Sequence, residues 1–393
     1  MSFKWPLAVS PFTFADKAAI SWWLLTKDRY TMGEKVEEFE SLLSEFSGMH
    51  ALMVANGSVA NQLVFELWKI KNPGVKPVVI VPAVTWVSSI SPALMAGMDI
   101  EFCDINVTDL SLDHDMAENI LRRLSRAGRR VILWPTALIG FCPDMARLQD
   151  MATRYGADLF LDSCENTFGR VYARTGSTSI LASAAMTTTS CYMSHQITSI
   201  EGGFVFFRDK QDHDLGRMFR NHGLSRSLAA DHPVRVKTEA DNPAVDPQFL
   251  FALCGTNMRP TDVHAAFGIR DFKRAPRDIS HRTDIYRRFH GRLDRSQYFL
   301  PPLQENQCGF CFCIFRRDDR IKDVKAKLVA GGLEVRPIIG GHLGYQPPFR
   351  SHVADPALFH NAEWVHRHGA YVGLHSGVST GDVDHLIDIL HNI

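Results

Sequence analysis

The sequence predicts an α/β protein: a large, mostly parallel sheet covered by helices on both faces, followed by a smaller C-terminal α/β domain. Three observations predict it. The first two-thirds of the 393 residues alternate helical and strand patterns, which is the signature of a doubly covered sheet. The strand-like runs are short and almost wholly apolar, as buried strands are. From about residue 281 the pattern changes to helix and shorter strands. The expected division is 1–250 for the large domain and 251–393 for the small one, close to ordinary domain sizes.

The elements follow in order. EKVEEFESLLSEFS (34–47) places Val36, Phe39, Leu42, Leu43 and Phe46 on one helical stripe. A short strand, His50 to Val54, meets Asn56-Gly57-Ser58, and a helix runs on through VANQLVFELWKI. Val78 to Val81 is the next strand. Asp113 begins a helix with Met116, Ile120, Leu121 and Leu124 on one face, ahead of the strand Val131 to Trp134. A helix from Met145 to Tyr155 stops at Gly156 and leads into the strand ADLFLD. Phe204 to Phe207 is again strand-like. Residues 227–249 are polar and contain prolines, and read as a long loop, after which TDVHAAFGIRDF is helical.

Composition excludes several classes. Lys+Arg and Asp+Glu both count 43, so no basic excess points to nucleic acid or an anionic membrane. The N-terminus lacks the pattern of a signal peptide. The one uncharged run near membrane length, Val78 to Met98, contains Pro82 and Pro92 and suits a buried strand, loop and helix. A cytoplasmic location is expected. Eight cysteines in so long a chain do not suggest a disulfide framework. Cys308, Cys311 and Cys313 are crowded, but no second Cys-x-x-Cys completes a zinc site. They read as part of a buried strand, with Cys311, Cys313 and Phe315 on one face and Phe310 and Phe312 on the other. No metal site is expected.

Ligands of open α/β sheets bind beyond the C-terminal strand ends, and Asn56, Trp86, Asp162 and His195 all fall at or just past such ends. Gly57-Ser58, between a strand and a helix, would offer backbone N–H groups and a helix N-terminus to a phosphate, although Asn-Gly-Ser is also an ordinary turn. Trp86 is either a rim aromatic or a flat surface for a heteroaromatic ring. Asp162 closes an apolar strand, so its carboxylate needs a partner: a backbone cap or a protonated ring nitrogen. His195, in SHQITSIEGGFVFF (194–207), stands where a lysine would hold an aldehyde cofactor. Alone it could equally be a surface histidine.

The order of these signals is more specific than any one of them. With YTMGEKVEEFE (30–40), VANGSVANQL (54–63), VPAVTW (81–86), FLDSCENTFG (160–169), SCYMSHQITSIEGG (190–203), RNHGLSR (220–226), CGTNMRPTDVHAAFGI (254–269) and GLEVRPI (332–338), the chain resembles the DegT/StrS nucleotide-sugar aminotransferase family nearly end to end. The resemblance implies the type I pyridoxal-phosphate fold of aspartate aminotransferase and a homodimer. By it, Gly57, Ser58 and Ser190 hold the cofactor phosphate, Trp86 stacks on the pyridine ring and Asp162 pairs with its nitrogen. Asn257 reaches the phosphate from the partner subunit, and Arg226 and Arg336 contact substrate.

The aminotransferases have Lys where this chain has His195. In this the chain is similar to the family's histidine-bearing branch, the 3-dehydratases of keto-deoxysugars. Imidazole cannot hold pyridoxal as a stable imine, but near neutral pH it accepts protons. The resemblance therefore implies pyridoxamine 5′-phosphate (PMP) held noncovalently and interconverting with pyridoxal 5′-phosphate (PLP). The implied substrate is an NDP-4-keto-6-deoxyhexose, with GDP-4-keto-6-deoxymannose foremost, and L-glutamate is the implied amino donor. An aminotransferase, an iron–sulfur dehydrase or a non-catalytic sugar-binding homologue are the alternatives. The Cys-x-Cys at 311–313 lacks the more distant ligands an iron–sulfur cluster requires.

Overall fold

The computed structural model describes residues 3–173, 176–305 and 307–393. Its large sheet is built from β1 (His50–Val54), β2 (Val78–Pro82), β3 (Asp99–Cys103), β4 (Val131–Leu133), β5 (Asp158–Leu159) and β6 (Leu161–Asp162). A surface hairpin follows, β7 (Arg170–Ala173) with β8 (Gly176–Ser179), and then β9 (Met186–Ser190) and β10 (Gly203–Phe207) complete the sheet. One half runs β3-β2-β4-β5, all parallel; the other runs β6-β9-β10-β1, with β6 and β9 parallel and the last two pairings antiparallel. A parallel bridge between Thr136 and Asp162 joins the halves. The predicted mostly parallel sheet is present, with β10 running against its neighbours.

Local chemistry places the helices where the pattern put them. Asn56 caps the helix Gly57–Lys71, its Oδ1 accepting from the Val59 N–H at 3.0 Å. Asp113 and Asp144 cap His114–Arg126 and Met145–Tyr155 in the same way. The stripe on Glu34–Ser47 faces the sheet: Phe39 is fully buried and meets Phe204 of β10 edge-on at 4.9 Å. Burying one such ring is worth about 1.5–3 kcal/mol, so this pair anchors the helix to the strand that follows the His195 loop.

Residues 227–249 hold a helix, Pro233–Asp241, where the sequence reading placed only a loop. His232 caps it and Pro233 occupies its first turn. None of its residues is buried, so it left no apolar period to find.

The C-terminal part has a second sheet of β11 (Tyr298–Phe299), β12 (Cys311–Arg316), β13 (Val335–Arg336) and β14 (Gly369–Gly373), in the order β11-β12-β14-β13. Cys311, Cys313 and Phe315 of β12 pack into the core of the large sheet and Phe312 into a separate C-terminal core with Ile314, as the alternation predicted. Phe310, expected beside Phe312, precedes the strand and packs against the large-sheet core instead. The 31-residue helix Asp262–Arg292 reaches both parts, with Ala265 and Ile269 in one core and Ile285 and Phe289 in the other. One face of β12 thus closes over the strand ends of the large sheet.

Candidate active site

Between the two parts lies a cavity of about 900 Å3, at the upper end of the range for small-molecule sites. Gly57, Ser58, Trp86, Asp162, Ser190, His195 and Arg336 all line it. The structure therefore brings together seven side chains from five separate stretches. Two of the expected residues lie elsewhere. Arg226 is exposed, with its guanidinium carbon 5.8 Å from the Phe249 ring centroid. Asn257 is exposed too, its Oδ1 accepting from the Arg259 N–H at 3.2 Å.

At one end of the cavity the helix Gly57–Lys71 begins. Helix geometry leaves its first-turn N–H groups without intrahelical acceptors, and Asn56 takes up the one from Val59. A Cβ added to Gly57 would stand 2.8 Å from the Ser190 Cβ, so only glycine lets the helix start this close to the end of β9. Gly203 is equally constrained, because a Cβ there would sit 2.5 Å from the Asn56 carbonyl carbon. A bare helix N-terminus flanked by the Ser58 and Ser190 hydroxyls suits a phosphate.

Asp162 is 2% exposed and tightly held. Its Oδ2 accepts from Asn61 Nδ2 at 2.8 Å and from the Ser89 hydroxyl at 2.6 Å, and its Oδ1 accepts from the Cys164 N–H at 3.0 Å. Thr188 donates to Asn61 Oδ1 at 2.6 Å, which fixes the amide so that its NH2 faces the carboxylate. The three hydrogen bonds to Asp162 fix the orientation of its carboxylate on the cavity floor. Trp86 stands at the rim, 54% exposed.

His195 is half-buried on the loop after β9, between Tyr192 and Phe310, whose rings meet it edge-on at 5.9 and 5.6 Å. Its Nδ1 is buried without a partner among the described residues, and the residue lines the cavity. Burial, reinforced by the Arg282 guanidinium, pulls its pKa down to about 4. The imidazole is neutral at physiological pH and can accept a proton.

Sequence reasoning missed Glu165, which also lines the cavity. Its Oε2 accepts from the Ile139 N–H at 2.7 Å. Burial pushes its pKa up to about 8, so near neutrality it is mostly a protonated donor. Ile139 holds φ +56°, a costly conformation for a β-branched residue. Asn61 and Ser89 were missed as well. The available signals were weak: a buried-type Asn inside an apolar helix, and an acid three residues after Asp162.

Fold and cavity define a type I pyridoxal-phosphate architecture, with the cavity at the C-terminal ends of the parallel strands and covered by the small C-terminal sheet. The chain belongs to the DegT/DnrJ/EryC1/StrS aminotransferase family, whose profile matches residues 15–391. Among its relatives is the GDP-4-keto-6-deoxy-D-mannose 3-dehydratase of Escherichia coli O55:H7, 28% identical, with 98% of this chain and 99% of the relative aligned. A solved structure of the E. coli GDP-4-keto-6-deoxy-D-mannose-3-dehydratase with bound hydrated PLP superposes with a TM-score of 0.86, at 25% identity, over 99% of this chain and 100% of that one. The Helicobacter pylori aminotransferase PseC shares the fold, with a TM-score of 0.83 at 18% identity over 99% and 98% of the two chains.

Proposed function

We propose that this protein is a PMP-dependent 3-dehydratase of an NDP-4-keto-6-deoxyhexose, with GDP-4-keto-6-deoxymannose the first candidate substrate. The single observation that carries the reading is His195, a neutral imidazole in the cavity of a fold whose aminotransferases have lysine at this place. End-to-end similarity to 3-dehydratases supports it.

The residues present fit the cofactor. Gly57, Ser58 and Ser190 would hold its phosphate, Trp86 would cover one face of its ring, and Asp162 would pair with the ring nitrogen. When bound, PMP supplies a primary amine for the sugar ketone and a conjugated ring that accepts and returns electrons. Asp162, aligned by Asn61 and Ser89, keeps the ring nitrogen protonated. His195, as a neutral imidazole, would serve as the base that accepts a proton at Nε2. With no amine on its side chain, His195 cannot hold the cofactor covalently, so the cofactor's own amine stays available. The Glu165 carboxyl, protonated at neutral pH, is a hydrogen-bond donor on the same floor.

The net reaction replaces the C3 hydroxyl with hydrogen and releases the donor nitrogen as ammonia, and the oxygen lost from the sugar is balanced by the keto oxygen that the donor gains. The two electrons that reduce C3 come from an amino donor, L-glutamate, which leaves as 2-oxoglutarate. Arg336, on the cavity wall and paired with Glu334 at 2.6 Å, is placed to meet the anionic part of a nucleotide sugar. The protein acts as a homodimer, in which Asn257 of one subunit completes the phosphate site of the other; its exposure and its distance from its own cavity are what that role requires.

The test is incubation of the purified protein with PMP, L-glutamate and GDP-, CDP- and dTDP-linked 4-keto-6-deoxysugars. Ammonia together with a 3-deoxy ketosugar is the expected result. An amino sugar as the main product would overturn the reading.

A further inference from the structure

Adjoining the main cavity at His195 lies a second, much smaller chamber of about 20 Å3. That is room for one water-sized molecule. His195, Asp271, Asp278, Arg282 and His375 line it. Three of these residues belong to the helix Asp262–Arg292, His375 follows β14, and Leu7 and Pro11 of the N-terminal segment complete the lining, so the chamber is a seam between four parts of the chain.

Its polar inventory is unbalanced in a specific way. Arg282 Nε and Nη1 are buried without partners among the described residues, and so is His195 Nδ1. A guanidinium has only donors to offer, and leaving them unmade in a buried place is costly. His375 Nδ1 accepts from the Gly377 N–H at 3.2 Å, which leaves the proton of a neutral ring on Nε2, near the Pro6 carbonyl but without hydrogen-bond geometry. The acceptors are the carboxylates of Asp271 and Asp278. Asp271 already receives the Thr198 N–H at 2.8 Å and Arg274 at 3.3 Å, and Asp278 receives Arg277 at 3.2 Å. Both keep lone pairs.

We propose that Arg282 is a positioning residue for His195, acting through one water that accepts from its guanidinium and from His195 Nδ1–H and donates to Asp271 or Asp278. This arrangement satisfies the donors, puts the imidazole proton on Nδ1 and leaves the Nε2 lone pair facing the main cavity. It also sets a fixed positive charge behind the ring, which disfavours the imidazolium. Of the other groups around the ring, burial keeps Cys308 a thiol and His375 neutral, and Arg274 is paired with Asp16 and Asp271. Arg282 is therefore the cation whose field reaches His195. The inference rests on the reading of His195 as the base, but its test does not depend on turnover.

The experiment is 15N NMR of the PMP-loaded protein labelled at histidine, with the His195 signals identified by their loss in His195→Asn. In the wild type at neutral pH, Nδ1 is expected to resonate as a protonated nitrogen and Nε2 as an unprotonated one. In Arg282→Gln the titration midpoint of His195 should rise by on the order of one pH unit, and Arg282→Lys, which keeps the charge, should restore most of it. A proton found on Nε2 in the wild type would overturn the proposal, and so would an unchanged midpoint in a folded Arg282→Gln protein. Should that variant fail to fold, the wild-type tautomer decides alone. Failure of His195 as the base would show separately, as undiminished ammonia release by His195→Asn, with these spectra unaffected.

Discussion

Asn61 and Asp162 stand 101 residues apart in the chain, yet the Asn61 amide donates to the Asp162 carboxylate at 2.8 Å at the bottom of the cavity. Both are almost fully buried. The pair links the first turns of the helix after β1 to the end of β6, and so ties together the ends of the site proposed to hold the cofactor's phosphate and its ring nitrogen. Asn61→Ala would strip a donor from a buried carboxylate and leave the Thr188 hydroxyl only its long 3.5 Å bond to the Leu161 carbonyl. Such a change costs about 1–3 kcal/mol. Urea unfolding should report a loss of that size, and PMP affinity should fall with it.

Glu165 gives a pH signature. Its pKa is raised from 4.5 to about 8 by burial, so the folded state keeps a proton that the unfolded chain has released. The unfolded state binds fewer protons over this interval, and stability attributable to this group falls as pH rises from 4.5 toward 8. Glu165→Gln, which retains an acceptor for the Ile139 N–H, removes that slope. Its stability relative to wild type should increase with pH by up to about 1.4 kcal/mol per unit in this window. Parallel denaturation curves at pH 5 and pH 8 with a constant difference would show that the carboxyl is not held protonated.

The shared-site assignment can be checked by mixing subunits. Asn257→Ala and Asp162→Ala homodimers should each be nearly inactive. After reassortment, a mixed dimer contains one site with both residues intact, so roughly a quarter of wild-type activity should return. Mixed dimers that form, as seen by differential tagging, and remain inactive would place Asn257 outside the partner's site.

A resting cofactor without a covalent link is expected to survive chemical trapping. Borohydride reduction of the protein with pyridoxal phosphate should leave no pyridoxyl group near residues 190–203, as read by peptide mass spectrometry. His195→Lys should gain one there, together with a visible absorption band.

Much of this was legible in the chain because it is local. The turn at Gly57-Ser58, the strand-end Asp162 and the histidine after β9 each sit at a break in an apolar run, and all of them line the cavity. The helix over 34–47 and the two-faced strand at 311–316 were equally plain, since burial imposes its period on the residues. What stayed hidden depends on distant partners. Asn61 and Ser89 look like ordinary polar residues until the fold places them on Asp162. Arg282 reads as a helical surface charge until β14 and the N-terminal segment cover it. Pro233–Asp241 was invisible because a helix that buries nothing carries no apolar stripe.

The central claim is that His195, not a lysine, moves the proton. His195→Asn keeps the phosphate, ring and nitrogen contacts and should still load with PMP. The deciding measurement is ammonia release from the ketosugar by the loaded variant, with cofactor occupancy recorded alongside. A fall of roughly 10²–10⁴, the usual contribution of a positioned general base, is the predicted result. Near-normal release by fully loaded His195→Asn would contradict it.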